Sequence, residues 1–121
     1  MSQEFPKIPA ERKTIYLKNE FFDMIKAGLK TLELRIAFPA FTGIKVDDEV
    51  EFQSGAEKIP VKITGVRKYK SLEAVTAAED LNKLAPGLSP ENALKKAKEI
   101  ISDSDIQQYG ILVLEFEKIE K

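Results

Sequence analysis

The 121-residue sequence contains no cysteine and no histidine, and this absence removes several kinds of chemistry at once. Disulfide bonds, a thiolate nucleophile, a histidine base and zinc sites built from cysteine and histidine are all excluded. A metal would need oxygen ligands alone, and no carboxylate spacing in the sequence indicates such a site, so we expect neither a metal nor a cofactor. The acid–base groups that remain are lysine, tyrosine and the carboxylates.

The sequence also lacks an excess of charge and a long apolar run. Its 19 basic and 20 acidic residues nearly cancel, so binding to nucleic acid would need a local basic patch. No apolar run is long enough to cross a bilayer, and no cationic segment precedes an apolar one at the amino terminus. We therefore expect cytoplasmic residence and no membrane partner.

Length and composition predict a single domain. A 121-residue chain with 43% hydrophobic and 32% charged residues has the composition of a soluble protein and can bury one core. Residues 1–12 contain Pro6 and Pro9 among charged residues and are predicted to form an extended arm, whose Phe5 and Ile8 could dock on the domain. The domain itself is expected over residues 13–119.

One short stretch, residues 28–35, combines a helix end, a strand start and several charged side chains. Upstream, Asn19 can cap a short helix whose apolar residues recur at three- and four-residue spacing. Gly28 can adopt the left-handed conformation that ends this helix. Lys30 then stands at the junction between helix and strand.

The alternation of apolar and polar residues over 30–36 predicts a central strand. Its inward-facing residues are predicted to be Leu32, Leu34 and Ile36. Its polar face would carry Thr31, Glu33 and Arg35. An ordinary solvated strand face would show the same pattern, because exposed ion pairs contribute little to stability.

Further strands are predicted at residues 14–18, 48–53, 59–66 and 111–116, and the third and fourth of the five strands form a hairpin. Pro60 indicates an edge or a bulge and Gly65 a further bend. Ser71 can cap a helix that runs to about Ala78, and the sequence Ser-Pro-Glu at 89–91 opens a second. The lysines expected on the outer surface of that second helix are Lys95, Lys96 and Lys98.

The pattern Gly-x-Lys-x-x-Glu-x-Arg, filled by Gly28, Lys30, Glu33 and Arg35, resembles the signature of the ASCH domains, a PUA-like family. The resemblance covers roughly residues 13–119, and short prokaryotic stand-alone members are the most similar. It implies an α+β fold, a PUA-like mixed β-barrel with helices inserted after the first and fourth strands. It also implies a cleft between barrel and helices where the signature residues gather.

The resemblance implies two functions that both stay open, since the family is associated with RNA binding and some members hydrolyse acetylated cytidine or have been linked with nuclease activity. In a module that binds RNA or a modified nucleoside, Lys30 and Arg35 would contact phosphate or a base edge and Glu33 would orient them. In a small hydrolase acting on acetylated cytidine or RNA, Lys30 and Glu33 would be catalytic. That branch, however, has Thr in place of Glu33 and a Glu after the fourth strand, for which Glu73 and Glu79 are the nearby candidates. We therefore favour binding, and a protein-interaction domain without a ligand is a third possibility.

Aromatic residues are few, at 8% of the chain, and some of them are candidates for the binding site. Tyr16 could be a core-edge aromatic or could line a pocket beside the polar strand face. Phe38 and Phe41 lie in a loop, where they could plug one end of a barrel or form a wall on which a base stacks. If the protein is a hydrolase, we expect Lys30→Ala to abolish release of acetate from acetylated cytidine and to leave the melting temperature nearly unchanged, because a functional lysine in a cleft is not a packing residue.

Residues 67–70 form a compact basic run with an aromatic inside it. A solvated strand exit explains it adequately, but single-stranded nucleic-acid grooves use the same combination of tyrosine and cations. Tyr69 is accordingly a candidate ligand-binding residue. The candidate nucleic-acid patch consists of Arg67, Lys68 and Lys70.

Overall fold

The computed structural model describes residues 13–119, and the predicted arm at residues 1–12 lies outside the described residues. The strands are β1 (Lys13–Tyr16), β2 (Leu32–Ile36), β3 (Glu49–Ser54), β4 (Glu57–Tyr69) and β5 (Ile111–Lys118). The helices are α1 (Asn19–Lys26), α2 (Leu72–Ala78), α3 (Leu81–Leu84), α4 (Pro90–Ile100) and α5 (Asp103–Tyr109). The predicted insertion of helices after the first and fourth strands is confirmed.

The strands form one curled sheet in the order β1-β3-β4-β5-β2. The prediction of a central strand at residues 30–36 is wrong, because β2 pairs with β5 alone and is an edge strand. The β1–β3 pair is parallel and the other three pairs are antiparallel. The two edge strands approach each other at an open seam, where Arg35 Nη2 on β2 donates a hydrogen bond of 2.6 Å to the Tyr16 carbonyl oxygen on β1. The fold is thus a mixed α+β half-barrel, as predicted.

The two faces of the sheet bury separate apolar clusters. The inner cluster includes Phe22 and Ile25 of α1 and the perpendicular ring pair of Phe52 and Phe116, whose centroids are 4.8 Å apart. The outer cluster packs Leu32 and Val113 of the sheet against the helices that follow β4. Its helical members are Leu72, Val75, Leu84, Leu94, Ala97 and Ile106. Strand β5 is therefore buried on both faces, which accounts for its nearly continuous apolar sequence.

The caps and the bulge follow from the local sequence. Ser71 and Ser89 each accept a hydrogen bond from a backbone amide in the first turn of the following helix, at 3.0 and 3.1 Å. The β4–β5 register shifts between Ile63 and Gly65, as expected for a bulge at that glycine. Pro60 lies where β4 extends past its paired segment with β5, which begins at Val61.

Several predicted boundaries are wrong by a few residues. Helix α1 is capped by Lys18 and starts at Asn19, whose side chain accepts a hydrogen bond from the Ser54 hydroxyl instead. Strand β2 starts at Leu32 because the backbone amide of Thr31 bonds to the Lys83 carbonyl of α3, a short helix that the sequence pattern did not predict. Strand β1 ends at residue 16. Strand β4 continues to residue 69 because β5 pairs with it that far.

Candidate functional site

The end of helix α1 places Lys30 inside the protein. Gly28 has φ +81°, a left-handed conformation that favours glycine, and the amides of Leu29 and Lys30 both bond to the Met24 carbonyl. The chain reverses at this point, leaving Leu29 exposed and turning Lys30 inward, where it is 3% exposed.

The ammonium group of Lys30 has three acceptors in contact. Nζ donates to the carbonyl oxygens of Leu32 at 2.5 Å and Leu84 at 2.8 Å, and it lies 3.2 Å from Glu33 Oε1. Two of these contacts are hydrogen bonds to backbone carbonyls, and the third is a close ion pair. Lys30 thus links the start of β2 to the end of α3. It therefore stabilises the fold and also belongs to the candidate site.

Glu33 lies between two cations. The residue is only 6% exposed, and its Oε2 accepts a hydrogen bond of 2.8 Å from Arg35 Nε while Oε1 faces Lys30. Arg35 is more open, with 24% of its side chain exposed, and its guanidinium carbon stands 5.9 Å from the centre of the Phe41 ring. Within residues 13–119, Arg35 Nη1 has no hydrogen-bond partner. The three side chains carry a net formal charge of one positive unit.

These side chains form part of a cleft of about 370 Å³ at the seam of the half-barrel. Its walls come from β2, the start of α1, the segment 84–88 and helix α4. Most of the lining is apolar, including Phe21, Leu84, Leu88 and Ile100. Pockets of this kind, with a few polar groups fixed among apolar walls, are typical sites for small organic ligands.

Three of the aromatic residues considered from the sequence line the cleft. Tyr16 lies at the rim, 66% exposed, and Phe38 lines the wall with its ring packed edge-on against Tyr109 at a centroid distance of 4.9 Å. Phe41 both packs on the inner cluster and lines the cleft, so it has features of both alternatives considered from the sequence. The structure therefore brings Tyr16, Phe38 and the three charged signature residues together.

Helix α4 contributes residues that sequence reasoning did not assign to the site. Lys96 was expected on the outer surface, and its side chain is 40% exposed, but it also lines the cleft, pairs with Glu20 at 3.2 Å and lies 5.8 Å from the Phe21 ring centre. The signal was present, since Lys96 follows Ala93 by three positions and precedes Ile100 by four, a spacing that places all three on one helix face.

The other predicted residues lie elsewhere. Tyr69 is not among the residues that line the cleft; its hydroxyl donates to Glu79. Arg67 donates to both Glu79 oxygens, at 2.5 and 2.8 Å, and to Glu115 Oε1 at 2.9 Å. Lys68 and Lys70 are exposed. Of the basic run, these two lysines are the ones without a carboxylate partner within the described residues.

The cluster around Glu79 has shifted proton affinities. The hydrogen bonds from Arg67, and secondarily the one from Tyr69, hold the pKa of Glu79 below its ordinary value despite burial. The hydrogen bond from the Tyr69 hydroxyl to Glu79 raises the pKa of Tyr69, because the carboxylate holds the hydroxyl proton. Glu73, the other candidate for a downstream catalytic carboxylate, is exposed and lies 3.4 Å from Lys98. Neither Glu73 nor Glu79 lines the cleft.

Over residues 13–119, no cluster of three or more carboxylates could hold a metal ion. In that same part of the chain, the helices are all too short or too polar to traverse a lipid bilayer.

A curled, mixed half-barrel with helices inserted after its first and fourth strands matches the PUA-like class of α+β domains. The sequence model of the ASCH domain matches residues 15–120, and the chain therefore belongs to the ASCH domain family, which is generally linked to RNA binding.

Two solved structures of archaeal proteins are similar to this chain over nearly its whole length. The crystal structure of hypothetical protein PH0355 is 28% identical, covers 90% of this chain and all of its own, and has a TM-score of 0.81. The solution NMR structure of protein PF0455 from Pyrococcus furiosus is 25% identical, covers 92% of this chain and all of its own, and has a TM-score of 0.73. Among curated proteins, none matches the chain.

Proposed function

We propose that this protein binds single-stranded RNA or a modified nucleoside, with one base held in the cleft above Glu33 and Arg35. The observation that carries the proposal is the combination of a buried, cation-flanked carboxylate with aromatic and aliphatic walls in one concave site. A nucleobase needs both parts: apolar faces on which its ring packs and a few fixed polar groups that meet its edge.

The volume of the cleft supports one small ligand and no more. A space of about 370 Å³ lies at the low end of the range for organic-ligand pockets. A helical duplex does not fit such a site, because its bases are stacked and paired, whereas an unstacked base of a loop or single strand does. Phe38, held in place by Tyr109, offers a surface for stacking worth about 1–3 kcal/mol per base.

Arg35 is the residue best suited to contact the ligand directly. It is the most exposed of the three charged signature residues, and its guanidinium is held by Glu33 and the Tyr16 carbonyl without using Nη1 within the described residues. A guanidinium fixed in this way can donate to a base edge or to a phosphate. Lys30 is buried, and its ammonium is held by two backbone carbonyls and Glu33, so its role in the proposal is to position Glu33 and the start of β2.

Hydrolysis is not part of the proposal. The hydrolase alternative needs a carboxylate after β4 near Lys30, and both candidates lie outside the cleft lining. Glu33 itself is bound at both oxygens by cations, which favours a positioning role over attack on a substrate.

A binding screen tests the proposal. Adenosine, cytidine, guanosine, uridine, N4-acetylcytidine and an eight-nucleotide single-stranded RNA are titrated into the protein and followed by thermal shift and calorimetry, since a ligand specific for the folded state raises its stability. Phe38→Ala should weaken binding about 5- to 100-fold through lost stacking. Val46→Ala, at an exposed apolar residue outside the cleft lining, is the matched control and should leave affinity unchanged. Absence of binding by all six probes would contradict the proposal.

A further inference from the structure

Strand β2 is an edge strand, and its pairing with β5 fixes which of its backbone N–H and C=O groups point toward the sheet and which point away from it. The Thr31 carbonyl accepts from the Phe116 amide, and the Ala37 amide donates to the Gly110 carbonyl. Residues 31, 33, 35 and 37 therefore direct their backbone N–H and C=O groups toward β5. The intervening residues, at 32, 34 and 36, direct theirs away from the sheet, toward the open side of this edge strand.

The open side of β2 faces the cleft. Residues from both faces of the strand line it: Glu33 and Arg35 from one face, Leu34 and Ile36 from the other. A cleft that touches both faces of a strand must contain the edge between them. The outward-directed backbone groups at positions 34 and 36 thus lie at the cleft.

Both ends of this open edge are already capped. At one end the Leu32 carbonyl accepts from Lys30 Nζ, and at the other the Ile36 carbonyl accepts from the Phe38 amide. Between these caps stand three groups: the Leu34 N–H, the Leu34 C=O and the Ile36 N–H. Within residues 13–119 none of the three has a hydrogen-bond partner.

We infer that this capped edge is the base-reading element of the site, in which the Leu34 N–H and C=O bind the adjacent acceptor and donor on the hydrogen-bonding edge of a nucleobase. The inference rests on the proposed function. The N–H and C=O of one residue form the closely spaced pair of an antiparallel ladder, and neighbouring donor and acceptor atoms on a base rim are likewise close. A nucleobase that enters the cleft displaces water from these backbone groups, and a ligand with a matching acceptor and donor keeps them paired.

The length of the edge argues for a base over a peptide strand. An extended peptide that adds to a sheet edge uses a run of alternating backbone groups over several residues. Here Lys30 closes one end, Phe38 closes the other, and the Arg35 guanidinium spans the seam to Tyr16. What remains open matches a ligand about one base wide, and the ring of such a base would lie between the apolar walls of the cleft.

Hydrogen exchange of individual amides tests the inference in the unmodified protein. NMR exchange rates are measured for the amides of Leu34 and Ile36, alone and with saturating adenosine, cytidine, guanosine or uridine. At least one nucleoside should slow exchange at Leu34 about tenfold or more, because its amide gains an acceptor, while the ladder amides of Glu33 and Arg35 change little. Binding that shifts the Tyr16 and Phe38 signals without slowing exchange at Leu34 would overturn the inference and leave the proposed function standing.

The exchange experiment has two further outcomes that count against the inference. If no nucleoside shifts any cleft signal, the proposed function fails and the inference fails with it. If a short extended peptide slows exchange at both Leu34 and Ile36 and no nucleoside does, the edge is a strand-addition site and the inference is wrong.

A pair of variants gives a second test. Leu34→Pro removes the outward N–H without removing a bond to β5, and proline is tolerated on strand edges. Leu34→Ala removes the same side-chain packing but keeps the amide, so it is the matched control. Nucleoside affinity should fall about tenfold or more in Leu34→Pro relative to Leu34→Ala, and equal affinities in two folded variants would contradict the inference.

Discussion

At the scale of single residues, the site is built around Lys30, which the sequence analysis assigned to ligand contact, or to catalysis in a hydrolase, and which the structure buries. Lys30 is buried, and its ammonium is compensated by two carbonyls and one carboxylate. A buried charge with full hydrogen bonding is tolerated, whereas removing one partner of a buried pair leaves the other uncompensated. The sequence places Lys30 near Glu33, but it gives no sign of the Leu84 carbonyl, which comes from 54 residues further along the chain.

The structure thus reverses the expected effect of removing Lys30. Lys30→Met should lower the free energy of unfolding by about 3–5 kcal/mol, because Glu33 loses a buried partner and two carbonyls lose a donor. Urea unfolding measures it. Lys26→Met is the matched control, since Lys26 pairs with Glu57 at 2.7 Å on the exposed surface, where solvent screens the pair, and its removal should have a much smaller effect. Equal losses of unfolding free energy in the two variants would mean that the buried contacts of Lys30 do not stabilise the fold.

Glu33 separates binding from catalysis. Replacing it with Gln should change nucleoside affinity, because a neutral amide no longer holds Arg35 in a charge-assisted bond. The wild-type protein should release no acetate from N4-acetylcytidine, so the variant has no turnover to lose. An acetate-release assay with both proteins checks this. Robust wild-type turnover that disappears in Glu33→Gln would establish the hydrolase alternative instead.

At the scale of elements, β2 shows what an alternating pattern predicts and what it leaves open. The pattern correctly separates the apolar and polar faces of the strand. It does not say which face meets which layer: Leu32 and Leu34 pack on the outer helical cluster, while Glu33, on the polar face, is as buried as a core residue. Burial of Glu33 depends on the curl of the sheet and on Lys30, and neither is encoded within the strand itself.

Truncation of the two leucines should therefore have unequal effects. Leu32 is buried in the outer cluster, so Leu32→Ala should cost about 2–5 kcal/mol of stability. Leu34 is half-buried beside the cleft, and Leu34→Ala should cost less, about 1–2 kcal/mol, below the range expected if it lay in the core. Chemical unfolding of both variants measures the difference. A larger loss at Leu34 would show that the cleft edge is more tightly packed than described.

The contacts of Glu79, at the end of α2, with Arg67 and Tyr69 of β4 make the stability of the protein depend on pH. Because the folded-state pKa of Glu79 is lowered from about 4.5, its contribution to stability is present above pH 4.5 and is lost as pH falls through the lower, folded value. Glu79→Gln should destabilise the protein by about 1–3 kcal/mol at pH 7, and the gap to wild type should narrow at acid pH. Unfolding curves from pH 3 to 7 test this. Glu99→Gln, at an exposed position, serves as control, and a gap independent of pH would contradict the assignment.

The contacts of Arg67 also explain why position 65 is a glycine. A Cβ at Gly65 would lie 2.7 Å from Arg67 Nη1 and 3.0 Å from Glu115 Oε1, so the bulge leaves room for that ion pair. The sequence shows the glycine and predicts a bend there. It cannot show that the bend serves Arg67, because Glu79 and Glu115 reach that side chain from α2's end and from β5.

At the scale of the whole molecule, local signals predicted the elements well and their arrangement poorly. Serine caps, the alternation of β2 and the hairpin at Gly55 are each set by a few neighbouring residues. The strand order β1-β3-β4-β5-β2 depends on long-range pairing, which periodicity does not contain. The resemblance of the Gly-x-Lys-x-x-Glu-x-Arg pattern to the ASCH signature implied the PUA-like barrel and its cleft but not the strand order, and the cleft wall on α4 became visible only with the fold.

Charge across the whole molecule limits how RNA could bind. The net formal charge is −1, and Arg67 of the predicted basic patch is held by Glu79 and Glu115. Any phosphate contact from this patch should therefore come from Lys68 and Lys70, with at most a minor part from Arg67. Such a small electrostatic contribution predicts modest affinity and a shallow dependence on salt.

Neutralising Lys68 and Lys70 together should reduce the slope of log affinity against log salt by about 1 to 1.5 for a single-stranded RNA, because each phosphate contact contributes about 0.7. Titrations of an eight-nucleotide RNA measure the slope. They cover about 50 to 300 mM salt, a range over which the screening of charges changes strongly. The control pair Lys58 and Lys95, equally exposed but on the β3–β4 hairpin and on α4, should leave the slope unchanged. Equal slopes for wild type and the Lys68/Lys70 variant would confine RNA contact to the cleft.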